Sequence, residues 1–181
     1  MRLFHVSEDP NISEFIPRES AQSEFEPSVP LVWAIAEDRL TDFLTPRDCP
    51  RVGYHVTPET TLADRQRFFT APGHEHALVI EDSWFSVMRS AMLWLYEFDP
   101  SGFELQDAAA GYYVSKSPQA PIGKYCIDDV FDELFRRDVE VRIVNNLRAV
   151  AEDVQQSTLD WSLCRMQNAQ EGEAGWNSVL F

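Results

Sequence analysis

The apolar residues of this chain come in short runs, closed by proline or by turns bearing aspartate, serine or glycine. Leu3-Phe4-His5-Val6, Leu31-Val32-Trp33-Ala34-Ile35, Ala77-Leu78-Val79-Ile80 and the stretch from Leu93 to Phe98 are of this kind. Short runs rich in β-branched and aromatic side chains suit strands, and none approaches the ~20 residues needed to span a bilayer. Arg51 to Val56, Tyr112 to Ser115 and Val139 to Val144 add further strands, and Asp99-Pro100-Ser101-Gly102 is a strong turn signal.

Helix signals are fewer. Glu37 to Leu44 reads as a short helix stopped by Thr45-Pro46. Thr57-Pro58 is expected to open another, with Thr57 as N-cap and Pro58 at the first helical position. Asp82 or Ser83 can cap a helix reaching about Ala91. Asp128 to Arg137 carries acids in its first turn, arginines in its last, and Val130, Phe131, Leu134 and Phe135 on one face. A final helical region is expected over about 147–168, broken near Ser157-Thr158, and a proline- and glutamate-rich surface loop over about 17–30. At 181 residues with 44% hydrophobic content, one core is available and two would be small. The expected fold is α+β: a single domain of residues 1–181 with short, mostly antiparallel strands in a split sheet or sandwich plus three or four helices.

The net charge of −15 is spread evenly: residues 1–46 hold nine acids against three bases, 47–100 eight against five, and 101–181 thirteen against seven. Such a field repels duplex DNA and anionic membranes, because phosphate binding needs clustered Lys and Arg. Arg47 with Arg51, and Arg136 with Arg137, are the local basic clusters. The three scattered cysteines suggest neither a disulfide framework nor a zinc knuckle, and the first residues lack a long apolar h-region. A cytoplasmic protein is expected.

Candidate chemistry concentrates at the start. His5 and Ser7 project to one side of the first strand, where they can hold a ribose hydroxyl or a carboxamide; alternatively His5 is satisfied by a backbone carbonyl. In Pro46-Arg47-Asp48-Cys49-Pro50-Arg51 two guanidiniums can grip a phosphate, or one pairs internally with Asp48. Cys49 between them is either an activated thiol or a plain buried one. His74 and His76 can bite a metal from a loop, or simply face solvent. Glu140 and Arg142 share a strand face and either enter a cleft or stand as edge charges. Trp33, near the His5 strand, can wall an adenine or nicotinamide pocket, while the other tryptophans read as core.

Taken together, Leu3-Phe4-His5-Val6-Ser7-Glu8-Asp9-Pro10, Val32-Trp33-Ala34-Ile35 and Pro46-Arg47-Asp48-Cys49-Pro50-Arg51-Val52 resemble an uncharacterised bacterial family, DUF6886, across essentially the whole chain. A more distant resemblance is to the ADP-ribosyltransferase-like fold, including the RNA 2′-phosphotransferases. There an early strand ends in a histidine followed by a small polar residue, as in His5 and Ser7, and a second strand helps hold nicotinamide, near Trp33 here. The segment Tyr112 to Pro121 is similar to the strand and turn bearing the third catalytic position, with tyrosine or serine where transferases often have glutamate. The resemblance implies NAD or a related ribosyl phosphate as ligand or substrate. His5 and Glu140 would be catalytic, with Ser7, Trp33, Arg47, Arg51 and Tyr113 binding ligand and Glu140 facing an oxocarbenium-like centre. The competing expectation is a non-catalytic small-ligand-binding or protein-interaction domain on the same scaffold.

Overall fold

The computed structural model describes residues 1–19, 29–108 and 110–171. Most of the expected surface loop, residues 20–28, and Trp176 lie outside the described residues. The chain is α+β. In order it forms β1 (Leu3–Ser7), β2 (Val32–Ala36), β3 (Arg51–His55), α1 (Leu62–Phe68), β4 (His76–Glu81), α2 (Phe85–Arg89), β5 (Leu93–Phe98) and β6 (Glu104–Asp107). There follow β7 (Tyr112–Ser115), β8 (Gly123–Ile127), α3 (Val130–Arg136), β9 (Val139–Val144), α4 (Leu147–Gln155) and β10 (Asp160–Cys164). Short 3-10 turns at Glu37–Phe43, Asp82–Trp84, Pro100–Gly102 and Met166–Asn168 complete the described elements. They sort into two compact units, Met1–Arg47 with Ser86–Val139 and Asp48–Phe85 with Glu140–Phe181.

The first unit is built on a six-stranded sheet of order β6-β7-β2-β1-β5-β8. β1 pairs antiparallel with β2 and β5, and its Leu3 and Phe4, which point to opposite faces, are both buried. Leu3 packs with Val32, Ala34, Tyr96 and Phe98 against Phe15 from the segment that follows β1. Phe15 meets Tyr96 and Phe98 edge-on, with centroids 5.2 and 5.0 Å away. Burying such a ring contributes ~2–3 kcal/mol, which fastens an irregular segment to the sheet. Hydrogen bonds fix its path. The Tyr96 hydroxyl donates to the Asp9 carbonyl (2.7 Å) and accepts from the Ile12 amide (3.2 Å), while Phe15 and Gln119 exchange backbone bonds of 2.8 and 2.9 Å.

The second unit has a four-stranded sheet of order β10-β3-β4-β9. All five residues of β3 are buried. Its Val52 and Tyr54, with Val79 of β4, pack against Leu147, Ala151 and Val154 on the apolar stripe of α4. Asn146 caps α4, its Oδ1 accepting from the Ala149 amide at 3.1 Å.

Two expectations change here. The helix expected from Thr57 begins instead at Leu62, with Thr61 as its N-cap. Thr57 Oγ1 accepts from the Glu59 amide and Thr60 Oγ1 from the Thr57 amide, so these hydroxyls close a turn before the helix starts. The helical region expected to reach residue 168 ends at Gln155, and 160–164 form β10. A free edge of β3 lies ready for that segment, and five cross-strand pairs, from Asp160↔His55 to Cys164↔Arg51, outweigh its weak helical signal.

A charged knot ties the start of β1 to its neighbours. Arg2 Nε and Nη2 donate to the two carboxylate oxygens of Glu97 at 2.8 and 3.0 Å, and Nη1 donates to Glu37 Oε1 at 2.7 Å. Tyr125 Oη donates to Glu97 Oε2 at 2.8 Å. Arg2 above all, then Tyr125, holds the Glu97 carboxyl down at about 2. A carboxylate with a depressed pKa stabilises the fold above its ordinary value near 4.5, and that contribution disappears as pH falls through the folded value. In urea titrations, wild type should therefore exceed Glu97→Gln in stability at pH 6 and lose that advantage between about pH 4.5 and 2. Tyr96→Phe leaves the Asp9 carbonyl and Ile12 amide without their partner and should cost ~1–3 kcal/mol in the same assay.

Candidate functional site

His5 stands in the middle of β1, opposite Tyr96 of β5. Its Nδ1 lies 2.9 Å from the Trp33 carbonyl oxygen on β2. A carbonyl can only accept, so Nδ1 carries the hydrogen and the neutral ring presents a lone pair at Nε2. The imidazole leans on Phe15 at 4.7 Å, which fixes its plane. Burial pushes its pKa below the usual 6.5, the bond to Trp33 opposes that shift, and the charges of Arg47 and Arg18 add to it. Both arginines are exposed, and their charges act on this ring within a strongly acidic chain.

The other expected residues fall into place around or away from this corner. Ser7 Oγ accepts from the Asp9 amide at 3.1 Å, and Asp9 Oδ1 accepts from the Asn11 amide at 2.8 Å, so Ser7 shapes the acidic turn beyond β1. Trp33 supplies its carbonyl to His5. Its indole alternates to the opposite face from Val32 and Ala34 and meets Tyr112 edge-on at 5.5 Å. Tyr113, paired with Ala34, packs on the core around Leu3 and lines a cleft of about 520 Å³ with Arg2, Glu37, Asp38 and Leu105. Arg18, which the sequence reading missed, is the single basic residue of an otherwise glutamate-bearing loop, and that isolation is the signal that could have found it.

Arg51 and Glu140 belong to the second unit. Arg51 is buried and its Nη1 donates to the Cys49 carbonyl at 3.1 Å. Burial pushes the Cys49 thiol up to about 12, with nearby Arg51 opposing and Glu81 reinforcing, which leaves no nucleophilic thiolate at neutral pH. Glu140 is buried, and its Oε2 accepts from the Thr70 amide at 3.0 Å. Arg142 Nη1 donates to Tyr54 Oη at 3.0 Å and to the Phe68 carbonyl at 3.3 Å. Both side chains thereby fasten the end of α1 and the residues after it. His76 sits in β4 with its ring stacked on His55 at 5.3 Å, and His55 Nε2 lies 3.1 Å from Asp160 Oδ2. No group of three or more His, Cys, Asp or Glu among the described residues is disposed to hold a metal, and no described helix is long and apolar enough to cross a membrane.

The depressed His5 pKa has a direct readout. Folding opposes its protonation, so stability falls as pH drops below 6.5 toward the folded value. The His5 ring signals should titrate by NMR with a midpoint below 6.5. A midpoint above 6.5 would mean that burial, with the two arginine charges, does not outweigh the bond to the Trp33 carbonyl.

The model of a family of unknown function, DUF6886, matches residues 4–169, and the chain belongs to that family. No curated protein and no solved structure matches it.

Proposed function

We propose that the first unit of this DUF6886 protein binds a ribosyl phosphate, NAD or a related ribonucleotide, at the corner formed by His5, Arg18 and Arg47. The observation that carries the reading is the fixed tautomer of His5, whose neutral Nε2 can accept a hydrogen bond from a ribose hydroxyl. Guanidiniums bind phosphate through charge-assisted, often bidentate bonds, and Arg18 and Arg47 bring two positive charges to bear on the same ring. Ser7, with its oxygen engaged by Asp9, keeps a hydroxyl hydrogen to donate. The long-range field of a chain at −15 disfavours polymeric phosphates, so the ligand is a small nucleotide or a single RNA end, not duplex DNA.

The reading is one of binding and not of turnover. Stabilising an oxocarbenium-like centre calls for a carboxylate, and Glu140, the candidate from the sequence, is a buried residue of the second unit with one oxygen on the Thr70 amide. A ligand-binding domain is thus the form of the function that these contacts support best. Calorimetry with NAD, ADP-ribose and ribose 5-phosphate tests it. Binding is expected for at least one of them, weakened by roughly tenfold or more in Arg47→Ala and Arg18→Ala, since a bond to a charged group is worth ~1.5–3 kcal/mol. His5→Ala should lose binding with its melting temperature within a few degrees of wild type. No heat with any of the three ligands, or unaltered affinity in all three variants, would overturn the assignment.

A further inference from the structure

β8 ends the six-stranded sheet. It pairs with β5 from Leu93↔Ile127 to Glu97↔Gly123, and among the described residues no strand lies on its outer side. An edge strand offers a row of unpaired N–H and C=O groups, a template that fits one kind of occupant, an extended chain. Proteins usually guard such edges with bulges, outward charges or cover. The other edges show such protection or little exposure: β6 has a register shift between Leu105 and Asp107, β9 exposes only Ile143, and β10 exposes only Trp161.

β8 is different. Lys124, Tyr125 and Cys126 are exposed in succession, its pairing with β5 runs without a shift, and Ile122 just before it is 66% exposed. Its single charge is drawn inward: Lys124 Nζ donates to the Pro10 carbonyl at 2.9 Å and lies 4.7 Å over the Trp94 ring. Asp128 and Asp129 stand exposed at its C-terminal end, in a chain of net charge −15. Two copies of so acidic a surface repel each other, whereas a basic strand is attracted. We infer that β8 is a docking edge for an extended, Lys- or Arg-bearing segment of another protein, which adds to the sheet as a seventh strand. Backbone bonds would supply the affinity, and Asp128 and Asp129 would select the charge.

The probe is the capped peptide acetyl-Lys-Val-Lys-Val-Lys-Val-amide, titrated into isotopically labelled protein and followed by NMR. The expected result is saturable binding with shifts confined to residues 122–129 and the facing positions of β5. The glutamate-for-lysine peptide and a version with alternate amides N-methylated should each bind at least tenfold more weakly. Modifying the exposed Cys126 after folding with a cationic thiosulfonate should weaken the lysine peptide by a similar factor, and an anionic reagent should not; this avoids any question of misfolding. Equal binding of the N-methylated peptide, shifts centred elsewhere, or no binding at millimolar peptide would overturn the proposal. So would a stable dimer of the protein that cross-links through Cys126, which would make a second copy the occupant. None of these outcomes bears on the nucleotide reading, whose residues lie on other strands and loops.

Discussion

The first unit depends on β1, a five-residue strand hydrogen-bonded on both sides and buried on both faces at Leu3 and Phe4. A strand in that position has nowhere to slip, because moving it by one residue would exchange the side chains that meet the two faces. Its fixed register places Arg2 against Glu97 and Glu37 at one end. It also sets His5 opposite Tyr96 and beside the Trp33 carbonyl. The segment after β1 inherits this order through the Tyr96 hydroxyl and the Phe15 ring, so the corner around His5 has a rigid floor and an anchored wall.

Charge in this protein works at two ranges. The overall excess of acid is spread over the chain and sets what approaches from a distance. The fate of each arginine is set within a few ångströms. Arg51 and Arg142 spend donors on the Cys49 and Phe68 carbonyls and on Tyr54, and so stiffen the second unit. Arg2 is absorbed by Glu97 and Glu37. Arg18 and Arg47 lie exposed at the surface, and their charges reach His5. The same residue type thus serves as internal clamp and as candidate anion ligand, and the surroundings make the difference.

Cys49 and Glu140 show how partners reassign a chemically suggestive residue. A thiol between two arginines reads as activated when only neighbours in sequence are considered; burial reverses that by raising its pKa to about 12. The Glu140 carboxylate, catalytic in the sequence reading, is buried and accepts from the Thr70 amide through one oxygen. For His5 a backbone carbonyl satisfies one nitrogen and thereby defines the other as an acceptor.

Several elements were legible because their signals are local. β5 occupies the run from Leu93 to Phe98, α3 lies within the stretch with acids first and arginines last, and Asp99 Oδ1 closes the expected turn on the Ser101 amide. β6, β8 and β10 were hidden. Glu104-Leu105-Gln106-Asp107 and Gly123-Lys124-Tyr125 lack apolar runs, and 160–164 continues a helical-looking stretch; a neighbouring strand with unpaired groups makes each of them a strand. The sequence by itself determined that the chain is α+β, that its strands are short, that its surface is acidic and that His5 stands on a strand. Only the tertiary structure decided that the strands divide into two sheets, that Arg18 and Arg47 act on His5 while Arg51 turns inward, and that, among the described residues, β8 has no strand on its outer side. The physical reason is that hydrophobic periodicity and turn chemistry act between near neighbours, whereas hydrogen-bond partners, burial and electrostatic surroundings come from residues far apart in the chain.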